Sequence, residues 1–384
     1  MGREFFLPGR TIMGENALEA LPDNISGFGK KALIVTGKTV CTLDGFKKLT
    51  TLLSERGIAY EVFTGVTGEP DDSMIKSGVE AYKKNNCDFL ISMGGGSPID
   101  SMKAIAVWAA TGKNICEYFG KNIIEELPKM AAIPTTAGTG SEATQFTVIT
   151  DTKSSVKMLL KGRSLIPDLA VIDPSLGIST PKNITAFTGL DALTHAVEAY
   201  TSRRAQPLTD DVSLSAVKRI FKYLVRAYND GSDIQARTEM SIAAFEAGIA
   251  INNASVTLVH GMSRSIGALF HIPHGLSNAM LLPECIKFAI DAAYDKFAEL
   301  ARVIGVAQAG TKDTEAADSF VEALRDICRK CEIPTLGEYG INKKAFYESM
   351  DKMADDALLS GSPANTIKEV SKADILKIYE KLWQ

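Results

Sequence analysis

At 384 residues the chain is longer than one hydrophobic core usually grows, so two domains are expected. Its 45% apolar and 23% charged residues are those of an ordinary globular protein and exclude a disordered or fibrous one. A net charge of -4 with both signs interspersed, and no lysine or arginine block interleaved with aromatics, excludes the electrostatic footprint of nucleic-acid binding and points to a small-molecule partner.

The opening residues, MGREFFLPGR, carry charges where a signal peptide needs an apolar core, and no later apolar run approaches the ~20 residues of a membrane span. A cytoplasmic protein that engages no membrane is therefore expected. Short β-rich runs follow at 32–37 (ALIVTG), 60–66 (YEVFTGV), 88–95 (DFLISMGG), 130–136 (MAAIPTT) and 169–173 (LAVID), the first three separated by amphipathic helices. Such alternation is the signature of βαβ units, hence of a parallel, Rossmann-like sheet covered on both faces. From about residue 185 helical periodicity takes over, with segments near 186–203, 207–229, 232–253, 274–291, 293–304, 313–332, 343–356 and 371–382. The proline- and threonine-rich stretch at 173–185 marks the boundary. The expected plan is thus an α/β dinucleotide-binding domain over 1–185 and an all-α, metal-binding domain over 186–384. The six cysteines are scattered, which argues for reduced thiols, and the C-x-x-C at Cys328 and Cys331 lacks a second pair, so it is taken as two thiols on a helix.

Two glycine-rich turns follow β-rich runs. In the first, Gly94-Gly95-Gly96-Ser97 leads into a helix opened by Pro98. Glycines let a backbone approach an anion, and the free N–H groups of a helix start carry partial positive charge, so the turn suits a phosphate. Isoleucine at position 99 breaks the usual G-x-G-x-x-G fingerprint. The second turn, IPTTAGTGSEAT (133–144), presents the hydroxyls of Thr135, Thr136, Thr139 and Ser141. Two such turns at the carboxyl ends of parallel strands favour a dinucleotide over a lone phosphate.

Only four histidines occur, and three of them, His260, His271 and His274, lie within LVHGMSRSIGALFHIPHG (258–275), a stretch with the glycine and proline breaks of a turn between helices. The fourth, His195, stands four residues after Asp191 in TGLDALTHAVEAY, so the two share a helix face. Alone, that pair also describes an acid favouring a helix start and a core histidine. His260 and His274 are candidates to complete a site of one carboxylate and three imidazoles, a borderline set that suits Fe(II) or Zn(II). His271 is the spare: a proton carrier, or a residue resting near the mouth of the site.

The motifs GGGSPID, PTTAGTGSEAT, TGLDALTHAVEAY, NNASVTLVHGM and PHGLSNAMLLP, in this order and across nearly the whole chain, resemble the iron-containing, or group III, alcohol dehydrogenases. The resemblance implies a dehydroquinate synthase-like two-domain architecture with the active site in the cleft between domains. It implies metal ligation by Asp191, His195, His260 and His274, and contacts to NAD(H) or NADP(H) from Gly95, Gly96, Ser97, Asp100, Thr135, Thr136, Thr139, Ser141 and Lys157. The reaction expected from it is hydride exchange between the nicotinamide and a short alcohol or aldehyde polarised by the metal. By analogy with dimers of that family, REFFLPGRTIMGENALEAL is expected to form an edge hairpin that a second subunit extends.

The chain departs from the family pattern twice. Many members carry aspartate at the end of the first β-run, where it bonds the adenosine ribose, whereas here Gly37 is followed by Lys38; losing the acid removes its repulsion of a 2′-phosphate, so NADP(H) is expected to be tolerated. Much of the family has a second histidine four residues after the V-H-[AG]-M ligand, where this chain has Arg264. An arginine does not deprotonate, so proton transfer would run through His271, a water or the cofactor ribose, and the guanidinium suits an aldehyde with a carboxylate or sulfonate tail. The rival readings are a glycerol dehydrogenase or dehydroquinate synthase-like enzyme, and a metal- and nucleotide-binding protein without catalysis.

Overall fold

The computed structural model describes residues 2–154 and 156–383. The chain divides into two compact units, Met1–Thr180 and Pro181–Gln384. The first contains β1 (Arg10–Met13), α1 (Leu21–Asn24), β2 (Lys31–Val35), α2 (Asp44–Glu55), β3 (Ala59–Phe63), α3 (Asp72–Lys84), β4 (Phe89–Gly94), α4 (Gly96–Thr111), β5 (Met130–Pro134), β6 (Phe146–Asp151), β7 (Val156–Lys161) and β8 (Leu169–Ile172).

Six strands form one parallel sheet in the order β1-β8-β5-β4-β2-β3. Successive side chains of a strand point to opposite faces. Leu33, Val35, Leu90 and Ala132 join Ile75, Ile99 and Ile105 of α3 and α4 in one core, while Ala32, Ile34, Ile91 and Ile133 join Phe46 and Leu49 of α2 in the other. Burial on both faces explains why the strands show as continuous apolar runs rather than alternating ones. From β2 the chain steps out to β3 at the sheet edge and returns to β4 on the other side of β2. This reversal is a switch point, the place where open α/β sheets bind ligands at strand carboxyl ends. The ends of β2 and β4 are tied there by the Thr36 hydroxyl, which donates to the Met93 carbonyl at 2.7 Å.

The five expected β-runs are β2, β3, β4, β5 and β8. One feature is not among those expected: the antiparallel hairpin of β6 and β7. The N-terminal edge hairpin is corrected to a single strand, β1, which runs parallel to β8. Gly14 (φ 131°) and Asn16 (φ 62°) turn the chain straight into a 3-10 turn over Ala17–Ala20, leaving no returning strand.

The second unit contains α5 (Lys182–Thr201), α6 (Pro207–Asn229), α7 (Ile234–Ala254), α8 (Leu258–Phe270), α9 (His274–Ala289), α10 (Tyr294–Val303), α11 (Asp313–Lys330), α12 (Lys343–Leu359) and α13 (Lys372–Lys381). α5 is its central rod, buried almost continuously from Gly189 to Thr201, the behaviour of a helix apolar on every side. The stretch 258–275 is mostly helix, its turn confined to His271-Ile272-Pro273. Gly261 lies inside α8 because a Cβ there would come within 2.8 Å of Pro363. Among the described residues no single helix is long and apolar enough to cross a membrane; α7 and α8 pass the test only as a pair, and they are bent by 104°.

Candidate metal centre and nucleotide turns

α5 presents Asp191, His195 and Glu198 at successive turns of one face. α8 brings His260 at its third position, and α9 opens on His274. Gly275 makes the last approach possible: a Cβ at that position would lie 2.3 Å from the Phe187 carbonyl oxygen of α5. Three imidazole Nε2 atoms converge on one carboxylate oxygen, Asp191 Oδ1, at 3.8 Å from His195, 3.6 Å from His260 and 3.8 Å from His274. The His195 and His260 rings stack with centroids 4.6 Å apart. Ligand atoms ~2.1 Å from a shared tetrahedral ion stand roughly 3.4 Å from one another; those of Asp191, His195 and His260 all lie within 4.8 Å of one another and could hold a metal ion, with His274 beside them at 3.8 Å from Asp191.

Asn278, one turn beyond His274 and fully buried, aims its amide nitrogen into the same cluster, 2.7 Å from Asp191 Oδ1, 3.1 Å from His260 Nε2 and 3.3 Å from His274 Nε2. Its Oδ1 is buried without a hydrogen-bond partner. The positive end of an amide dipole thus points where these acceptors would meet a cation, and the donor chemistry fits a metal. Burial pushes the Asp191 carboxyl up, but His195, His274 and His260 outweigh it and hold the carboxyl far below the usual range. Glu198, which the sequence reading passed over, is fully buried, and its carboxylate lies 2.5 Å from His260 Nδ1. Its signal was present in the spacing, since residue 198 is three beyond His195 on the helix.

Arg264, one turn past His260 on α8, is half-buried and donates to the Ser362 hydroxyl at 3.1 Å. His271 is exposed at the end of α8 in a left-handed conformation (φ 54°). Cys328 and Cys331 are free thiols on and just past α11.

In the first unit, Gly95 caps α4 and Gly96 and Ser97 open it. Gly94 has φ 155°, a conformation that favours glycine. The two glycine-rich turns pack together: a Cβ on Gly95 would sit 3.3 Å from Thr136 Oγ1, and one on Gly96 would sit 2.8 Å from Thr139 Cγ2. Thr135 is tied to the first turn through its N–H, which donates to the Gly94 carbonyl at 2.9 Å. Asp100 accepts from the Ser141 hydroxyl at 2.5 Å and the Val148 N–H at 2.9 Å, so it fastens the second turn and its hairpin to α4. Lys157 pairs with Glu69 at 2.7 Å, and its charge lowers the Asp100 carboxyl against the larger effect of burial. Gly37 bridges Gly65, and Lys38 is exposed just beyond β2.

Beneath these turns Lys103 is wholly buried, its ammonium held by the carbonyls of Ser141 (2.7 Å), Thr144 (2.8 Å) and Phe146 (2.8 Å). Burial pulls its pKa down to about 8, and burial pushes neighbouring Glu142 up to about 7. A lysine inside the apolar run SMKAIAVWAA was the available sign of this buried post.

Models of two families match the chain: "Iron-containing alcohol dehydrogenase" over residues 8–174 and "Fe-containing alcohol dehydrogenase family, C-terminal" over residues 185–383. The chain is 34% identical over 372 residues to an NAD-dependent methanol dehydrogenase of Bacillus methanolicus, covering 96% of this chain and 98% of that one. It is 36% identical over 382 residues to an NADPH-dependent butanol dehydrogenase of Clostridium saccharobutylicum, covering 98% and 97% respectively. The solved sulfoacetaldehyde reductase of Bifidobacterium kashiwanohense in complex with NAD+ superposes with a TM-score of 0.89 at 28% identity, over 100% of this chain and 99% of that one. Matched along both of its units and across nearly the whole length of these relatives, the chain belongs to the iron-containing alcohol dehydrogenase family.

Proposed function

We propose that the protein exchanges hydride between NAD(P)(H) and a short alcohol or aldehyde, with Asp191, His195, His260 and His274 holding a divalent iron ion, for which zinc is the alternative. The observation that carries this reading is the convergence of three Nε2 atoms on Asp191 Oδ1 within 3.6–3.8 Å. A bound divalent cation supplies Lewis acidity toward the alcohol or carbonyl oxygen, and the nicotinamide takes or gives the hydride. The single Asp191 carboxylate offsets only one of the two cationic charges, and three neutral imidazoles offset none, so the ligand set preserves that electrophilicity. Gly95, Gly96 and Ser97 offer N–H groups at the α4 start to the pyrophosphate, and Thr135, Thr136 and Thr139 offer hydroxyls. Asp100 and Ser141 act by fixing the second turn, and Lys157 contributes its positive charge near Asp100. Gly37 and Lys38 leave room for a 2′-phosphate, and relatives include both NAD- and NADPH-dependent enzymes. His271, exposed, exchanges the proton with solvent.

Arg264 gives this chain a preference for an aldehyde with an anionic tail. The guanidinium shares a face of α8 with His260, and one relative is named for reducing sulfoacetaldehyde, whose tail is a sulfonate. The protein acts in the cytoplasm, where its six free cysteines stay reduced, and works as a homodimer or larger homo-oligomer. The test is a panel of neutral and anionic short aldehydes with NADH and NADPH, on protein stripped of metal and reloaded with Fe(II) or Zn(II). Aldehyde-dependent cofactor oxidation that requires the metal is expected; no turnover with any aldehyde, cofactor or metal would sink the assignment. Arg264→Ala should raise KM for anionic aldehydes selectively, and equal effects on neutral ones would remove the anionic-tail reading.

A further inference from the structure

The four metal ligands leave one buried acid unexplained. Glu198 has no exposed surface, and burying a carboxylate is costly unless its bonds are good. Its Oε1 accepts from the Val259 N–H at 2.7 Å and from the Thr257 hydroxyl at 2.7 Å, with the His260 N–H more distant at 3.4 Å. Its Oε2 lies 2.5 Å from His260 Nδ1.

One half of this arrangement is a helix cap supplied from another helix. α8 begins at Leu258, its first N–H groups lack partners within the helix, and a carboxylate satisfies them and complements the helix dipole. The other half has a different consequence. A carboxylate has no proton to donate, so the short contact requires the proton on His260 Nδ1. Nε2 is then left with a bare lone pair, and Nε2 is the atom that faces Asp191 Oδ1 at 3.6 Å.

We propose that Glu198 is a positioning residue that fixes the tautomer and ring orientation of His260 and so presets a metal ligand before the cation arrives. The proposal rests on the metal reading given above. It separates cleanly from a purely structural role in the variant Glu198→Gln. An amide has one accepting and one donating end. The Val259 N–H and the Thr257 hydroxyl claim its oxygen, so its NH2 must face Nδ1. The imidazole then has to accept there and carry its proton on Nε2, where it blocks coordination. A cap survives this substitution; the tautomer does not.

The experiment uses the full-length protein stripped of metal and titrated with Zn(II) in competition with a chromophoric chelator. Its second readout is the unfolding midpoint of the metal-free form. Wild type is expected to bind Zn(II), Glu198→Gln to bind it roughly 10–100-fold more weakly with its metal-free midpoint unchanged, and Glu198→Ala to lose both affinity and stability. Binding by Glu198→Gln within about threefold of wild type would overturn the proposal. Wild type that binds no Zn(II) would overturn the metal reading, and this inference with it. Should Glu198→Gln fail to fold, the imidazole 15N spectrum of metal-free wild type decides: His260 protonated at Nδ1 supports the assignment, and protonation at Nε2 refutes it.

Discussion

Asn278 shows how one amide can hold together a cluster of acceptors. The Asp191 carboxylate and the imidazoles of His260 and His274 would otherwise face one another across a small buried space, and its amide nitrogen donates into that space. Leaving a buried acceptor without its donor costs about 1–3 kcal/mol. A metal ion bound there satisfies the same acceptors directly. Replacing Asn278 by Ala should therefore lower the unfolding midpoint of the metal-free protein and leave that of the metal-loaded protein nearly unchanged, which thermal unfolding in chelator and in Zn(II) would measure. Equal losses in both states would mean that Asn278 only fills space. The site's other residues were legible to different degrees. The four-residue spacing of Asp191 and His195 gives them a shared helix face without deciding their role, and the resemblance of TGLDALTHAVEAY, NNASVTLVHGM and PHGLSNAMLLP to one family is what singles out the set with His260 and His274. Glu198 was signalled by its place three residues beyond His195 on the same helix, whereas nothing local marks Asn278 as facing a histidine that is distant in the chain.

At the scale of elements, close approach decides where the ligands fall. His274 reaches Asp191 only because α9 starts against the backbone of α5, with Gly275 at the contact. A methyl group there, 2.3 Å from the Phe187 carbonyl oxygen, must displace the helix start, and overpacking of this kind costs about 1–3 kcal/mol. Gly275→Ala is expected to lose more metal affinity than stability, since His274 moves with the helix start while the rest of α9 stays packed. Metal content after dialysis, set beside a urea unfolding curve, tests this; unchanged metal content would show that the helix start yields without moving the ligand. The same contrast explains which elements the sequence revealed. β2, β4, β5 and β8 are buried on both faces, so their apolar runs stand out. β1 is a four-residue edge strand with exposed side chains, and its membership in the sheet depends on β8, more than 150 residues away. The β6–β7 hairpin does not stand out because each of its faces mixes apolar with polar residues, Phe146, Val148 and Leu159 sharing one with Thr150, Lys157 and Lys161. In α8 the context of His260 is apolar and helical, while Gly261 and Gly267 weaken the helical signal around it, and a Cβ on Gly261 would meet Pro363, a contact no local pattern discloses.

For the molecule as a whole, the division of labour between units has a thermodynamic consequence. All four proposed metal ligands belong to Pro181–Gln384, whereas Lys103 and Glu142, buried ionisable groups beneath the two glycine-rich turns, belong to Met1–Thr180. Metal binding and the titration of Glu142 should therefore act on different parts of the chain, and a single unfolding midpoint will mix them. Glu142 has a folded pKa of about 7, above its ordinary 4.5, with burial as the main cause. Below the ordinary value the group is protonated in both states and imposes no penalty. As pH rises through the interval, the unfolded chain gives up its proton while the folded one retains it, so stability falls and levels off above the folded value, a loss of about 3 kcal/mol. Lys103, depressed to about 8, exerts its effect in the higher window between 8 and its ordinary 10.5, while Asp100, raised by its burial, works in the same direction as Glu142. Amide exchange in β4 and β5 should accordingly show wild type losing protection between about pH 5 and about pH 7.5, after correction for intrinsic exchange rates. Glu142→Gln should lose less protection than wild type across that range, and Zn(II) should raise protection in α5, α8 and α9 without altering either trend. A wild-type profile that falls no further than that of Glu142→Gln would show that Glu142 ionises inside the fold without penalty, compensated by Lys103 beside it.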